Sequence, residues 1–334
     1  MPLLVLALLA TVAAALCIGR YAITPSELAA LLRPGGRASI APDRLALLDT
    51  ILWQIRLPRI AAAVLVGASL SASGSAFQTV FRNPLVSPDL LGVGAGAGFG
   101  AALGMLLSLD WPLVQALAFG MGLLAVAIAA GIAKSFGGRS GGGSPIMLVL
   151  GGILAGGFFN ALLSLAKYVA DPYDQLPAII YWLMGTLSLA DLPQIERVTL
   201  PILLGIALLA LLGRALDALS MGDDEARTLG LPVGLVRGAV IGAATLVSAL
   251  TVSIAGMVGW IGLVVPHLAR LLLGPGNARL IPASAMIGAI LVVAADGLAR
   301  GFSTVEIPIG IITQLLGIPI FLMVLHRVRR GWLP

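Results

Sequence analysis

Residues 238–269 read GAVIGAATLVSALTVSIAGMVGWIGLVVPHLA, a run with no Asp, Glu, Lys or Arg. A bilayer-spanning helix takes about 20 mostly apolar residues. The run is therefore too long for one crossing. Gly256 and Gly259, and then Pro266, divide it into a full helix and a shorter one, because glycine loosens the backbone and proline removes a helix donor.

The same reading carries outward along the chain. Apolar spans are expected at 1–19, 60–81, 90–109, 111–133, 144–167, 195–213, 236–256, 259–273, 280–298 and 307–326. Composition agrees: of 334 residues, 59% are apolar and 10% charged, against about 45–50% and about 25% in soluble proteins. Mean hydropathy is +1.05. So few ionisable groups could not cover the surface of a soluble globule. The expected fold is all-α, a single polytopic membrane domain over 1–334 with about ten transmembrane helices. The first run lacks a basic leader, and its apolar stretch exceeds the 7–15 residues or so of a signal peptide, so it reads as an uncleaved first helix.

Charge sets orientation and removes some functions. The 20 Lys+Arg against 15 Asp+Glu give a net +5, but the basic residues stand between apolar runs, where they orient spans. No basic stripe interleaved with aromatics is present, which argues against nucleic acid. Arg327, Arg329 and Arg330 join Arg82, Lys134, Arg139, Arg214, Arg227, Arg237, Arg270 and Arg279 on one side. The opposite cations mostly fall in one long loop, 20–59, where charge orients less reliably. Both termini are therefore expected in the cytoplasm.

The absences narrow the chemistry. A phosphate-binding loop needs Gly-Lys-Ser/Thr, and the two lysines, Lys134 and Lys167, each follow alanine. His267 and His326 have no paired ligand spacing around them, and the single Cys17 excludes an internal disulfide or thiolate cage. No catalytic, cofactor or metal residue is expected. Coupled carriers keep ionisable groups inside the bilayer. Here the acids avoid the span centres, with Asp296 and Glu306 near helix ends. The energy source is expected outside the chain.

Four segments exceed what a bilayer demands. In Gln54-Ile55-Arg56-Leu57-Pro58-Arg59, two arginines at i and i+3 share a helical face; they could snorkel to headgroups or pair with carboxylates on a partner. In 81–92, FRNPLVSPDLLG, prolines with Asn83 and Asp89 make a rigid turn that stops one helix and caps the next. Met221–Gly230 reads as a short helix with acids in its first turn, either a solvated surface helix or a docking element. In Gly259–Arg270, a half-length helix carries Pro266 and His267. The series Gly92, Gly96, Gly100, Gly104 reads as close helix packing.

In this order the segments resemble the permeases of type II ABC importers for iron–siderophore, haem and cobalamin. The likeness runs from about Trp53 to Arg327. It rests on Arg56-Leu57-Pro58-Arg59, Asn83-Pro84-Leu85 with Pro88 and Leu90-Leu91-Gly92, Gly222–Ala226 with Leu229-Gly230, Ile261–Arg270 and Glu306–Gly310. It implies a ten-helix subunit of the inner membrane that pairs with a second copy around a central path. Two cytosolic ABC ATPase subunits and an extracytoplasmic substrate-binding protein would complete the importer. By the same resemblance, Arg56, Arg59 and Arg300 would dock the binding protein. Gly222, Asp223, Asp224, Glu225, Ala226, Arg227, Leu229 and Gly230 would couple to the ATPase. Asn83, Pro84, Arg139, Ser140, Gly141 and Ser144 would form a cytoplasmic gate. The cargo expected first is an iron chelate or haem, then a cobalamin-like complex. A molybdate-type oxyanion is the alternative, and an ion-coupled carrier working alone the rival class.

Overall fold

The computed structural model describes residues 1–19, 21–136, 145–301 and 306–330, and among these every regular element is helical. In chain order these are α1 (Pro2–Cys17), α2 (Pro25–Leu32), α3 (Pro42–Asp49), α4 (Leu57–Val80) and α5 (Val93–Leu106). Next come α6 (Trp111–Phe136), α7 (Pro145–Val169), α8 (Gln175–Leu183), α9 (Leu192–Leu211) and α10 (Gly213–Met221). The last five are α11 (Asp223–Thr228), α12 (Val233–Ala255), α13 (Ile261–Leu273), α14 (Asn277–Gly301) and α15 (Ile309–Arg330). Among the described residues, six helices are long and apolar enough to cross a membrane: the one ending in α4, then α6, α7, α9, α12 and α14. Four shorter apolar helices accompany them: α1, α5, α13 and the body of α15. This is a multi-pass membrane protein.

The long 238–269 run breaks where its glycines stand. Helix α12 ends at Ala255, Gly256 takes φ 65°, and Trp260, at φ 69°, leads into α13. Pro266 lies inside α13 rather than ending it. The breaking is done by Gly256, whose Cβ would lie 2.2 Å from the Trp182 carbonyl oxygen. His267 turns Nδ1 to the Leu263 carbonyl at 2.8 Å, a satisfied helix position.

Helix α4 is the centre of the bundle and is buried along most of its length, a Ser/Ala/Gly-rich helix with α12, α13 and α14 around it. The crossings are backbone on backbone. A Cβ on Gly74 would stand 1.9 Å from the Gly262 carbonyl oxygen, and one on Gly67 would stand 2.2 Å from that of Gly288. In lipid, where apolar surface alone does not drive helices together, such close approach supplies dispersion contacts. The glycine series of α5 acts the same way against α6: Cβ atoms at Gly96 and Gly100 would meet the Met121 and Leu117 carbonyls at 2.3 Å.

The long loop expected between the first two spans is folded. Residues 24–56 form α2, α3 and a π-helical turn, Thr50–Arg56, closing on a small core of Ile23, Leu31, Leu48 and Leu52. Thr24 and Glu27 cap α2 reciprocally, and Arg44 joins Glu27 to the Tyr21 ring. After α9, the short helix expected within 221–230 is α11, and α10 precedes it, the two meeting at Gly222.

Candidate functional site

The polar side chains gather at opposite ends of the bundle. At the end that carries 20–59, Arg59 donates from Nε to Asp296 Oδ1 at 2.7 Å and from Nη1 to Glu306 Oε2 at 2.8 Å. Arg300 Nε lies 3.0 Å from Asp296 Oδ2. Arg56 donates to the carbonyls of Leu16 and Tyr21, and Arg300 to that of Ile18 at 3.3 Å. All three arginines are buried, at 3%, 7% and 8% exposure for Arg56, Arg59 and Arg300. Spacing offered either free headgroup anchors or free docking charges. Within the chain, Asp296 and Glu306, distant in sequence, neutralise Arg59, and backbone carbonyls take Arg56.

At the other end, α11 divides its acids. Asp224 is 92% exposed at the side chain, beside Arg227 at 2.8 Å, and Glu225 is also exposed. Asp223 turns inward, where its Oδ1 accepts from Arg237 on α12 at 2.7 Å and from Arg82 in the turn after α4. Burial alone would push the Asp223 carboxyl up. The hydrogen bond and charge of Arg237, with the charges of Arg82 and Arg227, outweigh it and hold the group below the ordinary carboxylate range. Ala226 is the buried foot of α11, Gly222 is buried at its start, and Leu229 and Gly230 are exposed beyond its end. Gly222 has φ 148°, and Gly230 has φ 80° in the left-handed region.

Asn83 and Pro84 are exposed in that turn, with Asn83 Oδ1 accepting from the Leu85 N–H at 2.9 Å. The cap of α5 is Gly92 at φ 83°, and Asp89 instead lines a cavity. Of the expected gate residues, Arg139, Ser140, Gly141 and Ser144 lie outside the described residues.

A further group had no sequence signal of its own. Asp217 on α10 accepts from the N–H and the amide of Asn277 at the start of α14, both at 2.7 Å. Thr79 donates to Asn277 Oδ1 at 2.8 Å, and Ser75 meets Ser284 at 2.8 Å. Helix α10 is thus fastened to the α4–α14 core. Arg82, Arg237, Asp217 and Asn277 join the site only through chain-distant contacts, so spacing could not single them out.

The cavity with Asp89 has a volume of 540 Å³ and lies among α5, α7, the 256–260 break and α15. Among the described residues its wall is mostly glycine and aliphatic, with Asp89, Asn160 and Gln314 as polar side chains and no Lys, Arg or His.

Residues 6–327 match the model of the FecCD transport family. The chain belongs to that family. It is 35% identical to the molybdate import system permease protein MolB of Haemophilus influenzae, over 98% of this chain and 95% of that one. It is 39% identical to a probable iron chelatin transport system permease protein of Helicobacter pylori, over 86% of each chain. Other relatives are named for vitamin B12 import. A metal-chelate type ABC transporter solved in an inward-facing conformation superposes with TM-score 0.85 at 33% identity, over 97% of each chain. The FecCD chain is therefore an ABC importer permease, a transport subunit with the fold of a type II permease.

Proposed function

We propose that this FecCD permease moves a metal chelate, an iron–siderophore or haem before a cobalamin-type complex, across the cytoplasmic membrane. It works as a pair of identical subunits with two cytosolic ABC ATPases and an extracytoplasmic binding protein. Both termini then lie in the cytoplasm, on the side of α10 and α11. The binding protein docks on the rim that Arg56, Arg59 and Arg300 hold together. Exposed Asp224 and Glu225 meet the ATPase, and the Asn83–Pro84 turn serves as a gate that closure of the ATPases moves as part of a rigid-body change.

The cavity is the observation that favours a chelate. Its 540 Å³ falls in the range of about 300–1,000 Å³ that accommodates organic ligands. A small tetrahedral oxyanion would call for cationic or N–H donors, whereas the ionisable group on this wall is Asp89. The second reading, a molybdate-type cargo, has the 35% identity to MolB behind it.

Purification in mild detergent with mass spectrometry of what accompanies the permease tests the assembly. A Walker-type ATPase in equal copies is expected. A chain reproducibly free of one would overturn the importer reading. Uptake of ⁵⁵Fe-chelates against ⁹⁹Mo-molybdate in cells carrying the system then separates the cargoes, and molybdate uptake without chelate uptake would put the oxyanion in place of the chelate.

A further inference from the structure

Within the acidic run 223–225, the three side chains point to different tasks. Asp224 and Glu225 face solvent, where a partner can reach them. Asp223 is spent internally: one carboxylate oxygen accepts from Arg82 and from Arg237. Arg82 directly precedes Asn83 in the turn between α4 and α5, and Arg237 lies on α12 with its side chain 9% exposed. One carboxylate therefore ties α11 at once to the turn that includes Asn83 and Pro84 and to a spanning helix.

The backbone at Arg82 supports this. Its φ is 48°, left-handed for a residue with a Cβ. Such a conformation persists only where surroundings fix it. Here the chain reverses at the end of α4, with Arg82 N–H bonded to the Thr79 carbonyl at 3.1 Å and Asn83 N–H to that of Gln78 at 3.0 Å. The strained residue is the one whose guanidinium reaches α11.

Resting on α11 as the element that meets the ATPase, we propose that Asp223 does not contact the ATPase but is an internal positioning residue, relaying motion of α11 to the 82–91 turn through Arg82. Arg237 holds the same carboxylate against α12, so the tie has a fixed side and a side that moves with the turn. The second fastening, Asp217 to Asn277, makes α10 move with α14. Asp223 is then the direct polar connection between α11 and the turn. Neutralising it should leave the partner's docking surface intact while freeing the turn.

The test uses the full chain with Cys17→Ser, spin-labelled cysteines at the exposed positions Leu85 and Thr228, and pulsed dipolar distance measurement. In the otherwise unaltered chain the distance distribution should be narrow. Asp223→Asn and Arg82→Gln should each broaden it roughly two-fold, with the double variant no broader than either single, as expected for one shared interaction. Arg82→Lys should restore most of the narrow distribution. Widths unchanged by Asp223→Asn and Arg82→Gln would overturn the latch. The coupling role fails separately. Glu225→Arg should abolish co-purification of the ATPase while leaving the label distances alone. Full co-purification would overturn the coupling role, and with it the relay, even with the tie intact.

Discussion

Two sets of arginine–carboxylate pairs stand at opposite ends of this bundle, and burial separates what they can do. Around Arg59, the carboxylate of Asp296 is 1% exposed at its side chain and Arg59 itself 8%. Around Asp223, the carboxylate is 28% exposed and Arg82 is 42% exposed. A buried pair has no water to fall back on, so losing one partner strands a charge. A half-exposed pair can open and be hydrated at small expense, which suits a contact that must move. The same chemistry gives a fastening at one end and a latch at the other.

The largest break in that contrast should come from Arg59→Ala. Leaving Asp296 buried without its main partner should destabilise the fold by about 3–5 kcal/mol, read as a lowered thermal midpoint in detergent or lost expression. Midpoints for Arg59→Ala no lower than those for Asp223→Asn would end the distinction between the two ends. Next comes the crossing that joins them: Gly74→Ala places a methyl group against the Gly262 carbonyl, and overpacking of this kind costs about 1–3 kcal/mol. Asp223→Asn should cost less, about 1–2 kcal/mol, because Arg82 can turn to water while Arg237, 9% exposed, keeps only an amide oxygen as its partner. Asp224→Asn, with a side chain already in solvent, should leave the midpoint where it was.

A pH series sharpens the comparison further. Because the Asp223 carboxyl is held below its ordinary value, its contribution is full above the unfolded-state value of about 3.9. It is lost as pH falls through the lower folded value. Amide exchange in α11, corrected for intrinsic rates, should be flat between about pH 8 and 5 and rise only in stronger acid. A rise near neutrality that Asp223→Asn abolishes would contradict the arginine clamp.

Much of the fold was legible because lipid makes simple demands. The apolar runs had to be helices, since no other local structure satisfies its own backbone in hydrocarbon, and the division of 238–269 followed from Gly256 and Gly259. The folding of 24–56 was hidden because its core of Ile23, Leu31, Leu48 and Leu52 is spread through a segment without a single strong period. Arg59 stood out by its spacing from Arg56, but its carboxylate partners stand 237 and 247 positions away. Spacing reports which side chains share a face and is silent about what that face meets.

Sequence by itself determined that this chain lives in a bilayer, where its apolar runs lie, which short segments exceed a bilayer's demands and which family those segments resemble. These are local properties, set by hydrophobic length, glycine and proline placement, and side-chain type. Tertiary structure alone decided that Arg56, Arg59 and Arg300 are buried. It also decided that Asp223 turns inward while Asp224 turns out, and that Asp217 grips α14. Pairing of charges depends on which helices become neighbours, and burial decides whether a pair fastens or yields.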